Sequence, residues 1–104
     1  MFLFNRTPPI SGRELEKKLS EQLTIIDVRE KNEFSGGHIP GAVNVPLGKI
    51  AAYKPKTDRP LYVICQSGIR SKQAVKMLEK RKIQAGHVKG VMICWQGAVK
   101  GGNY

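Results

Sequence analysis

Histidine and cysteine are scarce in this chain of 104 residues, two of each. Cys65 and Cys94 form no C-x-x-C pair, and His38 and His87 lack metal-ligand spacing, which argues against a zinc site. Two cysteines also argue against a small secreted domain stapled by disulfides, which carries more at regular spacing. No apolar run approaches the length of a bilayer span. Met1-Phe2-Leu3-Phe4 is too short for a signal-peptide core, and Pro8-Pro9 follows closely. The expected setting is the cytoplasm, away from any membrane. Internal repeats, low-complexity segments and linkers are absent as well.

Acidic residues are the other shortage, 8 against 18 lysines and arginines, for a net charge of +10. Such an excess suits nucleic acid, an anionic surface or small anionic substrates. The densest cluster, Lys72, Lys76, Lys80, Arg81 and Lys82, follows one helical face with no interleaved aromatics. It reads as a solvated basic face, so nucleic acid is not the expected partner.

What remains is the composition of a folded globular chain, 40% apolar and 25% charged. The length allows one hydrophobic core. A single domain over 1–104 is expected, with its core at about 8–99 and flexible ends at 1–7 and 100–104.

Strand-like and helix-like runs alternate between turn signals. Ser11 with Glu14 is a capping box, and Leu15, Leu19 and Leu23 continue at helical spacing. Leu23–Val28 is β-branched without polar alternation before Asp27, as in a strand buried on both faces. A short helix over Lys31–Ser35 and a strand over Ala42–Val45 follow. Leu61–Ile64 is a second buried strand, running straight into Cys65. Arg70–Lys82 is the longest helix, His87–Met92 a last strand and Ile93–Val99 a last helix. This rhythm predicts an α/β fold, a parallel sheet covered on both faces. The glycine-rich end, Gly101 to Tyr104, is expected to fray.

In such sheets ligands bind beyond the carboxyl ends of the strands. That rule singles out Cys65-Gln66-Ser67-Gly68-Ile69-Arg70-Ser71, the loop between a buried strand and the longest helix. A helix N-terminus presents backbone N–H groups and positive potential, and Gly68 gives the φ freedom a cradle needs. Cys65 would sit there as a nucleophilic thiolate. Arg70 adds a forked cation suited to an oxyanion or a persulfide, and Ser67 and Ser71 add hydroxyl donors. The alternative is a buried, inert thiol at a strand end.

The same residues carry a family resemblance. The chain resembles the rhodanese family in four ordered blocks: Ile25–Glu30, Glu33–Pro46, the Cys65 loop with its strand, and the weaker Val88–Ala98. The resemblance implies a rhodanese-like three-layer fold, with a five-stranded parallel sheet flanked by helices on both faces. It implies a sulfurtransferase that moves sulfane sulfur from thiosulfate or a persulfide donor, through a Cys65 persulfide, to a thiol, cyanide or a sulfur-carrier protein. No metal or organic cofactor is implied. Related phosphatases use a cysteine loop one residue longer; the four residues between Cys65 and Arg70 favour sulfur over phosphate. The alternatives are a non-catalytic interaction module, and a persulfide- or redox-sensing thiol protein in which Cys94 acts with Cys65.

By the same resemblance, Asp27 and Arg29 tie loops together around the site, and His38, Gly41 and Asn44 serve a structural turn. Lys72 is placed to favour anionic donors. Family members often carry paired glycines where this chain has Gly90-Val91; an extended last strand is expected to absorb the difference. Cys94 reads as a small core residue and Trp95 as a core or pocket-wall aromatic. His87 carries no partner signal.

Overall fold

The structure, a computed structural model, describes residues 7–102, the Cys94 side chain excepted. The expectations for residues 1–6, for Asn103 and Tyr104, and for the Cys94 thiol lie outside the described residues.

Five parallel strands form one sheet: β1 (Ile10–Ser11), β2 (Thr24–Asp27), β3 (Val43–Asn44), β4 (Leu61–Ile64) and β5 (Gly86–Lys89), in the order β1-β5-β4-β2-β3. The helices are α1 (Gly12–Lys18), α2 (Lys31–Ser35), α3 (Ile69–Lys80) and α4 (Val91–Cys94). The five-stranded, three-layer α/β architecture is thus the one the resemblance implied. Strand periodicity divides the core. Ile25, Tyr62, Ile64 and Val88 pack on one face with Leu15 of α1, Phe34 of α2 and Val91 of α4. Ile26, Leu61 and Val63 pack on the other with Ala74 and Leu78 of α3 and Ile50 of a 3-10 turn. Alternate residues of each central strand therefore feed opposite layers, which is why both strands read as unbroken apolar runs.

Local chemistry explains the boundaries. The Ser11 hydroxyl accepts from Glu14 N, and the Glu14 carboxylate accepts from Ser11 N, so the capping box forms. Ser11 serves twice, because Ile10 and Ser11 also pair with Val88 and Lys89. That two-residue edge strand was hidden in the sequence, as was the 3-10 turn Leu47–Ala52.

Two expectations are corrected. The last strand ends at Lys89 rather than Met92, because Gly90 turns left-handed (φ +50) and starts α4 at Val91. Val91 is fully buried and helical, so the strand does not run on to absorb the missing glycine. The last helix accordingly occupies Val91–Cys94 instead of Ile93–Val99. Near the end of the described residues, His38 and Lys100 exchange backbone hydrogen bonds of 2.9 and 2.7 Å, and Gly102 N donates to Ser35 O at 2.9 Å.

No helix among the described residues is long and apolar enough to cross a membrane. Gly86 carries a packing constraint. A Cβ there would stand 2.7 Å from the Tyr62 ring and 2.9 Å from the Thr7 methyl. Gly86→Ala should lower unfolding stability by about 2 kcal/mol, because the buried Tyr62 ring must shift; urea denaturation measures it.

Candidate active site

β4 delivers Cys65 to the base of a loop that closes on its own sulfur. Gly68 sits at φ +107, a left-handed conformation that swings its N–H back toward Cys65. Gly68 N and Ser71 N donate to Cys65 Sγ at 3.0 and 3.3 Å. α3 has no side-chain N-cap, and the sulfur takes that place, meeting donors that a helix start leaves unpaired. Met92 N and Ile93 N, at the start of α4, donate to the carbonyls of Cys65 and Gln66 at 3.2 and 2.9 Å. The loop is therefore held from both ends.

Of the residues singled out in this loop, Cys65, Gly68 and Ser71 are brought together and buried, Cys65 at 1% exposure. Gln66, Ser67 and Ile69 lie on the exposed rim. Lys72 is exposed beside them. A side chain at position 68 would be strained at this φ and crowded: a Cβ would lie 3.2 Å from Gly90 N and 3.3 Å from the His87 ring.

Arg70 is placed differently from the sequence expectation. Its fork grips Glu33 of α2, Nη1 to Oε1 at 2.7 Å and Nη2 to Oε2 at 3.0 Å, both side chains being about a third exposed. The hydrogen bonds from Arg70 hold the Glu33 carboxyl down at about 2, and Glu33 in turn raises the guanidinium. Glu33 Oε1 also accepts from Glu30 N at 2.8 Å, so one carboxylate caps α2 and clamps the cysteine loop. Sequence reasoning passed over Glu33. Its one available signal was its place at the third position of a short helix, Lys31–Ser35, where a carboxylate can cap.

Asp27 and Arg29 form a fully buried pair. Arg29 Nε and Nη2 donate to the Asp27 carboxylate at 3.0 and 2.8 Å, and Nη2 reaches Gly37 O at 2.8 Å. Asn44 donates to the carbonyls of Asp27 and Arg29. The buried His38 ring stacks on Phe34 at 3.7 Å between centroids, its Nδ1 2.9 Å from Phe34 O. These are loop-binding roles, at the end of β2 that faces the site. No buried side-chain nitrogen or oxygen among the described residues lacks a partner.

His87, which carried no signal in the sequence, joins the site. Its Nδ1 is 2.9 Å from the Ser71 hydroxyl, which lies 3.4 Å from Cys65 Sγ. Burial first, then the charges of Lys72 and Lys89, push His87 below its usual value of 6.5. The ring opens onto a groove of about 400 Å³ shared with Ser67, Ile69, Lys72 and Lys89.

Two consequences are measurable. Asp27→Asn strands a buried guanidinium and should cost about 3 kcal/mol in a denaturant titration. Glu33→Gln should cost about 1 kcal/mol at neutral pH, given the partial exposure of its ion pair. Because Glu33 lies below its ordinary 4.5 in the folded chain, its contribution is complete above that pH and is lost as pH falls toward 2. The gap between wild type and variant should close across that window.

The Rhodanese-like domain family matches residues 11–100. The protein YqhL of Bacillus subtilis (strain 168) is 43% identical over 79 residues, covering 73% of this chain and 63% of that protein. Thiosulfate sulfurtransferase GlpE of Shewanella oneidensis is 38% identical over 61 residues, 57% of this chain and 60% of that protein. The chain thus spans less than two thirds of the length of either relative. A solved rhodanese-like domain protein from Staphylococcus aureus superposes with a TM-score of 0.79 at 31% identity, over 92% of this chain and 99% of that one. Fold, ordered motifs and these likenesses agree, and the chain belongs to the rhodanese-like domain family.

Proposed function

We propose that the protein is a sulfurtransferase, acting as a single domain, in which Cys65 carries sulfur as a persulfide. The observation that carries this reading is the convergence of two backbone N–H groups, of Gly68 and Ser71, on Cys65 Sγ at 3.0 and 3.3 Å, beside the Ser71 hydroxyl, which accepts from the thiol at 3.4 Å. Fixed donors around one sulfur stabilise negative charge on it without reorganising during the reaction.

In the first step the Cys65 sulfur attacks the outer sulfur of a donor such as thiosulfate. A new S–S bond forms, the donor's own S–S bond breaks, and sulfite leaves with the electron pair. In the second step an acceptor nucleophile takes the outer sulfur, and Cys65 is regenerated. Cyanide serves in an assay; a thiol or a sulfur-carrier protein is the proposed cellular acceptor. The chain's own groups suffice, and the reading includes no cofactor. Gln66, Ser67 and Ile69 form the rim that meets donor and acceptor, while Asp27 and Arg29 hold the neighbouring loop. Arg70 contributes by holding the loop through Glu33 and by lending positive charge near Cys65. A reducing cytoplasm suits chemistry that begins from a free Cys65.

The near-complete burial of Cys65 favours a second reading, a rhodanese-fold interaction module with an inert thiol. Intact mass of the reduced protein after incubation with thiosulfate, or with a persulfide donor, separates the two. One added sulfur atom in wild type, absent from Cys65→Ser and removed by cyanide, is expected. No gain from either donor would exclude the enzyme. Lys72 and Lys89 on the rim should make loading by thiosulfate slower as ionic strength rises, measured as the second-order rate constant. A salt-independent rate constant would rule out electrostatic attraction of the donor.

A further inference from the structure

The Ser71 hydroxyl stands at a junction. It lies 3.4 Å from Cys65 Sγ, 2.9 Å from His87 Nδ1 and 3.1 Å from Gly68 O. A hydroxyl has one proton to give, so it cannot donate to all its neighbours at once. Two of its partners, the thiol and the imidazole, change protonation state. Sulfur and ring are thus joined through one hydroxyl, with no other side chain between them.

We propose that His87 is a positioning residue that receives the Cys65 proton through the Ser71 hydroxyl when sulfur transfer begins. The proposal rests on the reading of Cys65 as the attacking sulfur. Before transfer the thiol donates to Ser71 Oγ, and the Ser71 hydroxyl donates to a His87 ring protonated at Nε2 only. Each proton then moves one place. The Ser71 hydroxyl now donates to the sulfur, Nδ1–H donates to Ser71 Oγ, and the ring becomes imidazolium. The freed sulfur pair makes the bond to the outer sulfur of the donor, whose leaving group departs with the pair of the broken S–S bond. The sulfur, the hydroxyl and Nδ1 each keep a hydrogen-bond partner in both states, and no heavy atom has to move.

Three features fit the assignment. The ring must be neutral to accept, and its surroundings favour that form: burial, then Lys72 and Lys89, push His87 below its usual value of 6.5. Lys76, Glu79 and Lys80 of α3 and Lys82 of the following turn line the adjoining groove with it, a surrounding that is mostly cationic. The ring is half-buried and borders that groove, which gives the proton a route to solvent. Finally, Gly68 leaves the room the ring occupies, its absent Cβ falling 3.3 Å from His87 Cε1. Any side chain at position 68 would press on the imidazole as well as on the backbone turn.

Alkylation of Cys65 by iodoacetamide, quantified on the Cys65 peptide by mass spectrometry from about pH 5 to pH 8, tests the relay. The wild-type rate should carry an inflection below pH 6.5, where His87 titrates. His87→Gln retains hydrogen-bonding groups toward Ser71 but cannot titrate. It should react about tenfold more slowly at neutral pH and lose the inflection. Ser71→Ala should lose it too, and adding His87→Gln to Ser71→Ala should change nothing further. A His87→Gln protein with the wild-type rate and profile would overturn the relay. So would an inflection that persists in Ser71→Ala, a readout available even if the His87 variant folds poorly. Iodoacetamide needs no sulfur donor, so the two readings fail separately. A wild type that loads no sulfur yet keeps the inflection overturns the sulfurtransferase and leaves the relay standing.

Discussion

The left-handed turn at Gly68 is the constraint on which the site depends. It points the Gly68 N–H at Cys65 Sγ, starts α3 immediately afterwards, and so brings Ser71, one turn along, against the same sulfur. A residue with a Cβ would meet strain at φ +107 and contact with Gly90 N and His87 together. The turn thus couples three parts of the chain: the end of β4, the start of α3 and the β5–α4 junction. Gly90, also left-handed, faces it from the other side and starts the helix whose first N–H groups bind the loop carbonyls.

Two arginine–carboxylate pairs brace this centre, and they differ in kind. Asp27–Arg29 is fully buried, closed by Gly37 O and by Asn44 on the neighbouring carbonyls, so its charges and lone pairs are met inside the protein. Its removal on one side leaves a bare charge in an apolar surrounding. Glu33–Arg70 is part exposed and connects two helix starts across a gap in sequence of 37 residues. Its contribution to stability is modest by comparison. Its effect on the site is geometric, because it holds the first turn of α3 against α2.

The same pair alters how charge is used near the sulfur. A cation at position 70 was expected to face the incoming anion directly. With its fork on Glu33, Arg70 offers its charge at a distance, and the open lysines of the rim, Lys72 and Lys89, stand closer to the groove. The excess of basic residues in the chain therefore has a local expression beside Cys65. It follows α3 and β5, two elements that meet at His87.

Much of the fold was legible along the chain. Unbroken β-branched runs at Leu23–Val28 and Leu61–Ile64 marked the central strands, because a strand covered on both faces has no polar side to show. The capping box at Ser11 and the Cys65 loop were equally local signals, spacings within a few residues of one another. Short elements escaped. Two residues of β1 become a strand only through pairing with β5, and α4 replaced an expected strand end because Gly90 turned and Val91 found a core position. In the site, the sequence itself determined that Cys65 would lie at a helix start with a glycine able to turn the loop back. Tertiary structure decided the partners: Glu33 for Arg70, and His87 for Ser71. Neither pairing has a sequence signature, because each joins residues far apart in the chain whose meeting depends on how the helices seat against the sheet.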